Sequence, residues 1–169
     1  MTSSRISAPP IPSDGMRPAT GLAARVLRVW GGMDALLDAL QPLASLLARL
    51  YVAQVFFSSG LTKLNDWGTT VALFTDEYKV PVLSPEWAAV LGTGGEIGLP
   101  ILLVLGLGGR FAAVGLSVVN LVAVVSLSEI APAALQQHIT WGVLLAALAI
   151  FGCGRWSADA GVRAWLGRR

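Results

Sequence analysis

Glu96 is the residue around which chemistry is most readily organised in this chain. Between Trp87 and Gly154 the only charged side chains are Glu96, Arg110 and Glu129, and the remainder is dominated by Leu, Val, Ala, Ile and Gly. A carboxylate in such surroundings is expensive as an anion, so it finds a partner or takes up a proton. Few other polar groups share its setting. Arg49, Gln54, Ser58, Ser59 and Lys63 lie along one apolar run, Asn120 in another, and His138 in a third, flanked by Gln137 and Trp141. A protonatable acid with a lysine and a histidine within reach suits proton-coupled chemistry such as quinone reduction. The plainer reading is that Glu96 hydrogen-bonds Gln54, Asn120 or Arg49 and only fixes helix packing.

The other candidates also divide between chemistry and architecture. His138 is the sole histidine. It cannot supply paired haem ligands or make a zinc site alone, so no metal site is expected. It either packs at an interface or, with Trp141 beside it, relays protons or binds a ligand. Arg49 either pairs with Glu96 or extends its charged end to the nearer surface. Lys63 either anchors a helix end or lines the approach to Glu96. The lone Cys153 excludes an internal disulfide and dithiol exchange within the chain. No covalently bound cofactor is expected. Gly92, Gly94, Gly95 and Gly98 crowd around Glu96, giving close helix contact or a surface for a flat ring.

These residues must be positioned by membrane helices. The chain has 169 residues, 54% hydrophobic and 13% charged, with a mean hydropathy of +0.67. That excludes a wholly disordered chain. The net charge of +2, with basic residues flanking apolar runs, argues against nucleic acid as a partner. A membrane helix needs about 20 apolar residues. Residues 43–64, 86–105, 111–127 and 132–152 meet that requirement. Backbone groups in lipid must be satisfied within each segment. The expected fold is therefore all-α, a four-transmembrane-helix bundle. Counting residues inward at about 1.5 Å each places Gln54, Glu96 and Asn120 near mid-depth, as one polar layer. The same counting puts His138 nearer one face.

Orientation follows from basic residues. Arg5, Arg17, Arg25, Arg28, Arg110, Arg155, Arg163, Arg168 and Arg169 fall on one side, against Lys63 and Lys79 on the other. The positive-inside rule then places both termini in the cytoplasm. Residues 1–20, rich in Ser and Pro and without an apolar signal core, are expected to form a disordered arm. Residues 21–42 carry apolar positions at helical spacing. They form an amphipathic cytoplasmic helix on the inner face or an extension of the first span. Residues 43–154 are the membrane domain and 155–169 a basic cytoplasmic tail. The loop from about 65 to 85 holds Trp67, Phe74 and Tyr78, with a short interfacial helix expected over 70–78.

The order of these features resembles the DoxX family of small four-span bacterial membrane proteins, over about residues 45–160. Arg49-Leu50 followed by FFSSGLTKL, Phe56 to Leu64, is similar to the family's opening R…F…GxxKL signature. FTDEYKVPVLSPEWAAVLGTGGEIGLPILLVLGLGGR is similar to its loop and second span, with Glu96 at the acidic position. HITWGVLLAALAIFGCGRWSAD is similar to the last span and its GxGxxSxD end, here Gly152, Gly154, Ser157 and Asp159. The resemblance implies a multi-pass protein of the bacterial inner membrane. It also implies a role as membrane subunit of a quinone-linked oxidoreductase, with electrons from a partner subunit or a small reductant. The alternative it carries is a non-catalytic scaffold or accessory component of a metal-homeostasis or peptide-modification system. The expected partners are the lipid bilayer, a redox or accessory subunit, and a second copy of the chain. A transporter is disfavoured by the small number of spans and the absence of an inverted repeat.

Overall fold

The computed structural model describes residues 21–167. The arm expected over residues 1–20 and the last two arginines lie outside the described residues. The described residues fall into two units, divided between residues 37 and 38. Within the first unit, residues 22–37 are helical and expose Leu22, Val29, Trp30 and Leu36. The helix to which they belong, α1, is continuous from Leu22 to Asn65, with Pro42 inside it. Residues 22–42 are thus joined to the first span without a break.

The second unit contains the rest of α1 and five further helices: α2 (Trp67–Asp76), α3 (Pro85–Leu105), α4 (Gly109–Ser126), α5 (Pro132–Phe151) and α6 (Ala158–Leu166). Helices α1, α3, α4 and α5 are long and apolar enough to cross a membrane, which makes the chain a multi-pass membrane protein. Local sequence explains the boundaries. Pro85 and Pro132 occupy first turns, where a missing N–H costs nothing. Asp66 caps α2, its Oδ1 accepting from the Thr69 amide at 3.0 Å and its Oδ2 from the Thr69 hydroxyl at 2.6 Å. That cap starts the loop helix at Trp67, ahead of the expected Thr70. Gly106 ends α3 at φ 66°, the left-handed conformation glycine adopts without strain.

The main core joins Val52 and Phe56 of α1 to Leu103, Ala112, Ala113, Leu116, Leu145 and Leu148. Small residues set its spacing. A Cβ on Gly115 would meet Leu99 Cδ1 at 2.8 Å, so the glycine lets the Leu99 side chain of α3 lie close against α4. A second cluster packs Phe74 of α2 on Ala88 and Ala89 of α3. Tyr78 pairs in a single bridge with Leu127, and the Lys79 amide donates to the Ser126 carbonyl at 2.8 Å. These contacts fasten the segment after α2 to the end of α4.

The α6 end is closed by a polar clip. Gly152 and Gly154 take positive φ values of 81° and 74° and turn the chain out of α5. Ser157 caps α6, and Asp159 accepts from the Gly108 and Gly109 amides at 2.9 and 3.1 Å. The Asp159 amide returns a bond to the Gly106 carbonyl. Part of the expected basic tail is therefore a short capped helix tied to the α3–α4 turn.

The Gly108 amide, then the Gly109 amide, hold the Asp159 carboxyl below its ordinary pKa. A depressed pKa contributes stability above the ordinary value and loses it as pH falls through the folded-state value. At about pH 6, Asp159→Asn should melt below the unmodified chain in detergent. The two melting temperatures should converge on acidification to about pH 2.5. A gap independent of pH would remove the carboxylate charge from the clip.

Candidate functional site

One face of α1 carries Arg49, Val52, Phe56 and Gly60 into the interior at helical spacing. Gly60 lies directly against α3. A Cβ there would meet Ile97 Cγ1 at 2.7 Å and Glu96 Cβ at 3.1 Å. Lys63 follows one turn later on the same side. Its ammonium reaches both oxygens of Glu96, at 2.9 and 2.6 Å, and the Ser59 hydroxyl at 2.9 Å. All three N–H donors of the ammonium are thereby used. The side chains of Lys63 and Glu96 are only 14% and 10% exposed. Thr70 donates its hydroxyl to the Lys63 carbonyl at 2.7 Å, so α2 closes the end of α1 that carries the lysine. Four residues beyond Glu96, Pro100 has no amide hydrogen to offer the Glu96 carbonyl.

Above this pair lies a cavity of about 470 Å³ between α2, α3, α4 and the segment after α2. Its walls are mainly aliphatic, including Leu91, Val118, Val122 and Val125, with Phe74 and Tyr78 at one side. Leu91, Val118 and Val125 are each more than half exposed, so the cavity opens sideways between α3 and α4. Burial first, then the charges of Glu96 and Glu77, raise the Tyr78 phenol above its ordinary pKa. It therefore stays protonated and can donate a hydrogen bond. An apolar chamber with a few convergent polar groups is the usual form of a small-molecule site.

The single polar layer expected from Gln54, Glu96 and Asn120 does not form. Gln54 is exposed and lies with Leu50, Phe57 and Ile101 in a shallow outward groove. Depth along a helix does not fix which way a residue faces. It stands two residues from both Val52 and Phe56, about 200° around the helix from the buried face. Asn120 is buried but serves a different helix. Its Nδ2 donates to the His138 carbonyl at 2.9 Å, and its Oδ1 lies 2.8 Å from His138 Nδ1. A carbonyl can only accept, so the Asn120 amide orientation is fixed and Nδ1 carries the histidine proton. The His138 ring packs edge-on to Trp141 with centroids 4.9 Å apart. Trp141 meets Phe56 in the same manner, and its Nε1 donates to the Tyr51 hydroxyl at 3.4 Å. This α4–α5 pair is therefore organised separately from Lys63–Glu96.

Arg49 makes no ion pair with Glu96. It is fully buried at the α6 end, where it donates to the Trp156 carbonyl at 2.6 Å and the Val104 carbonyl at 3.5 Å. Neither expected arrangement holds: neutral carbonyls receive the guanidinium, which neither pairs with Glu96 nor reaches the surface. Burial pushes the nearby Cys153 thiol up, with the Arg49 charge opposing, which suits an unreactive sulfur. Sequence reasoning named Ser59 among the polar groups of the first span but did not tie it to Lys63, and it gave Tyr78 and Gly60 no part in the site. The signal for Ser59 and Gly60 was present in the SGLTK run, where Gly60 and Lys63 share one face and Ser59 precedes Lys63 by four.

Removing one member of a buried ion pair leaves the other charge unpaired, at a cost of ~3 kcal/mol or more. Lys63→Met is expected to lower the thermal stability of the detergent-solubilised protein sharply. Adding Glu96→Leu in the same chain is expected to restore much of the loss. Equal melting of the single variant and the unmodified protein would show that the pair is not held as a buried ion pair.

A comparison with protein families places a DoxX domain at residues 44–129, from the membrane part of α1 to just beyond α4. No curated protein and no solved structure matches the chain. The family match spans just over half of the sequence and includes Lys63, Glu96 and the cavity between them and α4. The chain belongs to the DoxX family.

Proposed function

We propose that the cavity above Lys63 and Glu96 receives a lipophilic quinone as substrate, making the chain the membrane subunit of a quinone-linked oxidoreductase. The observation that carries this reading is a buried, fully hydrogen-bonded Lys–Glu pair at the floor of an apolar chamber that opens sideways. The chamber volume lies in the range of small-molecule sites, and its aliphatic walls suit a substituted ring with an isoprenoid tail. Reduction of a quinone to a quinol takes up two electrons and two protons. The electrons come from a partner subunit or a small reductant. The Lys63 ammonium delivers one proton to a reduced ring oxygen, takes another from water reaching the outer face, and delivers that one to the second ring oxygen, while the Glu96 carboxylate holds the lysine in place between the two transfers. Tyr78 orients the ring through its hydroxyl. The distribution of basic residues supports a bacterial inner-membrane location with both termini in the cytoplasm and the chamber toward the outer face.

A second reading has a specific observation in its favour. Gly60 packs directly on the Glu96 backbone, so the pair also fastens α1 to α3. On that reading the protein is a non-catalytic scaffold or accessory component. Glu96→Gln and the double variant Lys63→Met/Glu96→Leu separate the two. Glu96→Gln keeps the shape and hydrogen-bonding capacity of the side chain, and the double variant leaves no unpaired charge. For proton transfer, the double variant should insert at normal yield, whereas Glu96→Gln, which leaves the Lys63 charge unpaired, should lose stability; in both, quinone-dependent turnover per inserted molecule should fall ~100-fold or more. Normal turnover per inserted molecule in both variants would assign the pair to packing.

A further inference from the structure

A second cavity, of about 700 Å³, lies at the opposite end of the bundle, between the start of α4, the end of α5 and α6. Three arginines line it, Arg110, Arg155 and Arg163. Arg110 Nη2 donates to the Ile150 carbonyl at 3.2 Å, which leaves the other guanidinium donors of that side chain free of it. Arg155 is exposed and makes no hydrogen bond or ion pair among the described residues. Two carboxylates share the lining, Asp38 and Asp159, but both oxygens of Asp159 already accept from the Gly108 and Gly109 amides. Three guanidinium groups against two carboxylates leave the lining with one positive charge in excess, with Arg163 already acting on Asp159 and Arg155 uncommitted among the described residues.

The rim of the cavity indicates what kind of anion it takes. Phe111 opens α4 and Phe151 closes α5, and both line the cavity while remaining 70% and 73% exposed. They are the ends of membrane-spanning helices, so their rings stand where hydrocarbon gives way to headgroups. On α6, Val162 and Leu166 are also exposed, one turn apart, beside the cavity-lining Arg163. Arginines at a helix end, with exposed aromatic rings beside them, match a molecule that carries a phosphate and an apolar body. Guanidinium donors fit phosphate oxygens through paired hydrogen bonds. We propose that this cavity holds the phosphate of an anionic phospholipid. Arg155 and Arg163 grip its oxygens, Arg110 contributes its unused donors, and the acyl chains leave past Phe111 and Phe151.

The test uses the full chain purified in detergent, with phosphatidylglycerol titrated in and bound lipid counted by native mass spectrometry. Phosphatidylcholine and inorganic phosphate are the comparison probes. Saturable phosphatidylglycerol binding is expected, with phosphatidylcholine binding more weakly because its choline meets the arginines. Arg155→Gln and Arg163→Gln should each weaken phosphatidylglycerol ~10-fold. Arg155 holds no other part of the fold through a hydrogen bond among the described residues, so Arg155→Gln should melt as the unmodified protein does. Phosphatidylglycerol affinity unchanged in the Arg155→Gln/Arg163→Gln double variant would overturn the proposal. So would displacement of the lipid by an equal concentration of inorganic phosphate, which would assign the cavity to a soluble anion.

Discussion

The ion pair between Lys63 and Glu96 is the interaction on which the rest of the membrane domain's chemistry depends. In a bilayer there is little hydrophobic drive to bring one apolar helix to another, so close packing and polar contacts decide which faces meet. Here the two act together. Gly60 lets α1 come against α3, and Lys63 then reaches Glu96 from one turn away. Each charge offsets part of the cost of burying the other. Ser59 takes up the remaining ammonium donor, leaving no reason for the lysine to turn outward. The pair can therefore sit beside an aliphatic chamber without drawing α1 away from α3.

The two ends of the bundle satisfy their polar groups by different means. At the α2 end, a side-chain cap on Asp66 and a hydroxyl on Thr70 end one helix and begin the next, while the segment through Tyr78 and Lys79 binds the end of α4. At the α6 end, Arg49 and Asp159 do the corresponding work through backbone groups. One donates to the carbonyls of Val104, at the end of α3, and of Trp156; the other accepts amides at the α3–α4 turn. A side chain on Gly106 would collide with both Ser157 and Arg49, so that turn and the tail are built around the absence of a Cβ. The family-like GxGxxSxD end thus has an architectural account: two positive-φ glycines, one helix cap and one amide acceptor.

Much of the fold was legible from hydropathy and helix boundary residues. The later spans follow apolar length, with Pro85 and Pro132 opening two of them and Gly106 closing one. The site was only partly legible. Glu96 stood out because a lone carboxylate in an apolar run demands a partner. The identity of that partner depended on helix phase and on lysine reach, which residue counting from the helix ends does not supply. Lys63, close to a helix end, bends inward to Glu96, whereas Gln54, at the right depth, faces outward. Arg49 was expected either to pair with Glu96 or to reach the nearer surface, and it does neither: it is buried on backbone carbonyls. Asn120 and His138 are joined across α4 and α5 by a reciprocal pair of contacts that no single-helix pattern announces. Tyr78 reached the chamber through a loop, where sequence periodicity carries no information.

Photoaffinity labelling tests the central claim most directly, because it reports where a quinone sits in the intact protein. The purified chain would be illuminated with an azido-quinone and the labelled peptides identified, with and without excess unlabelled quinone. The account predicts saturable labelling, removed by competition, within residues 74–92 of the α2–α3 region or 118–126 of α4, which line the chamber. Labelling confined to other segments, or labelling in the chamber that excess quinone leaves unchanged, would contradict it.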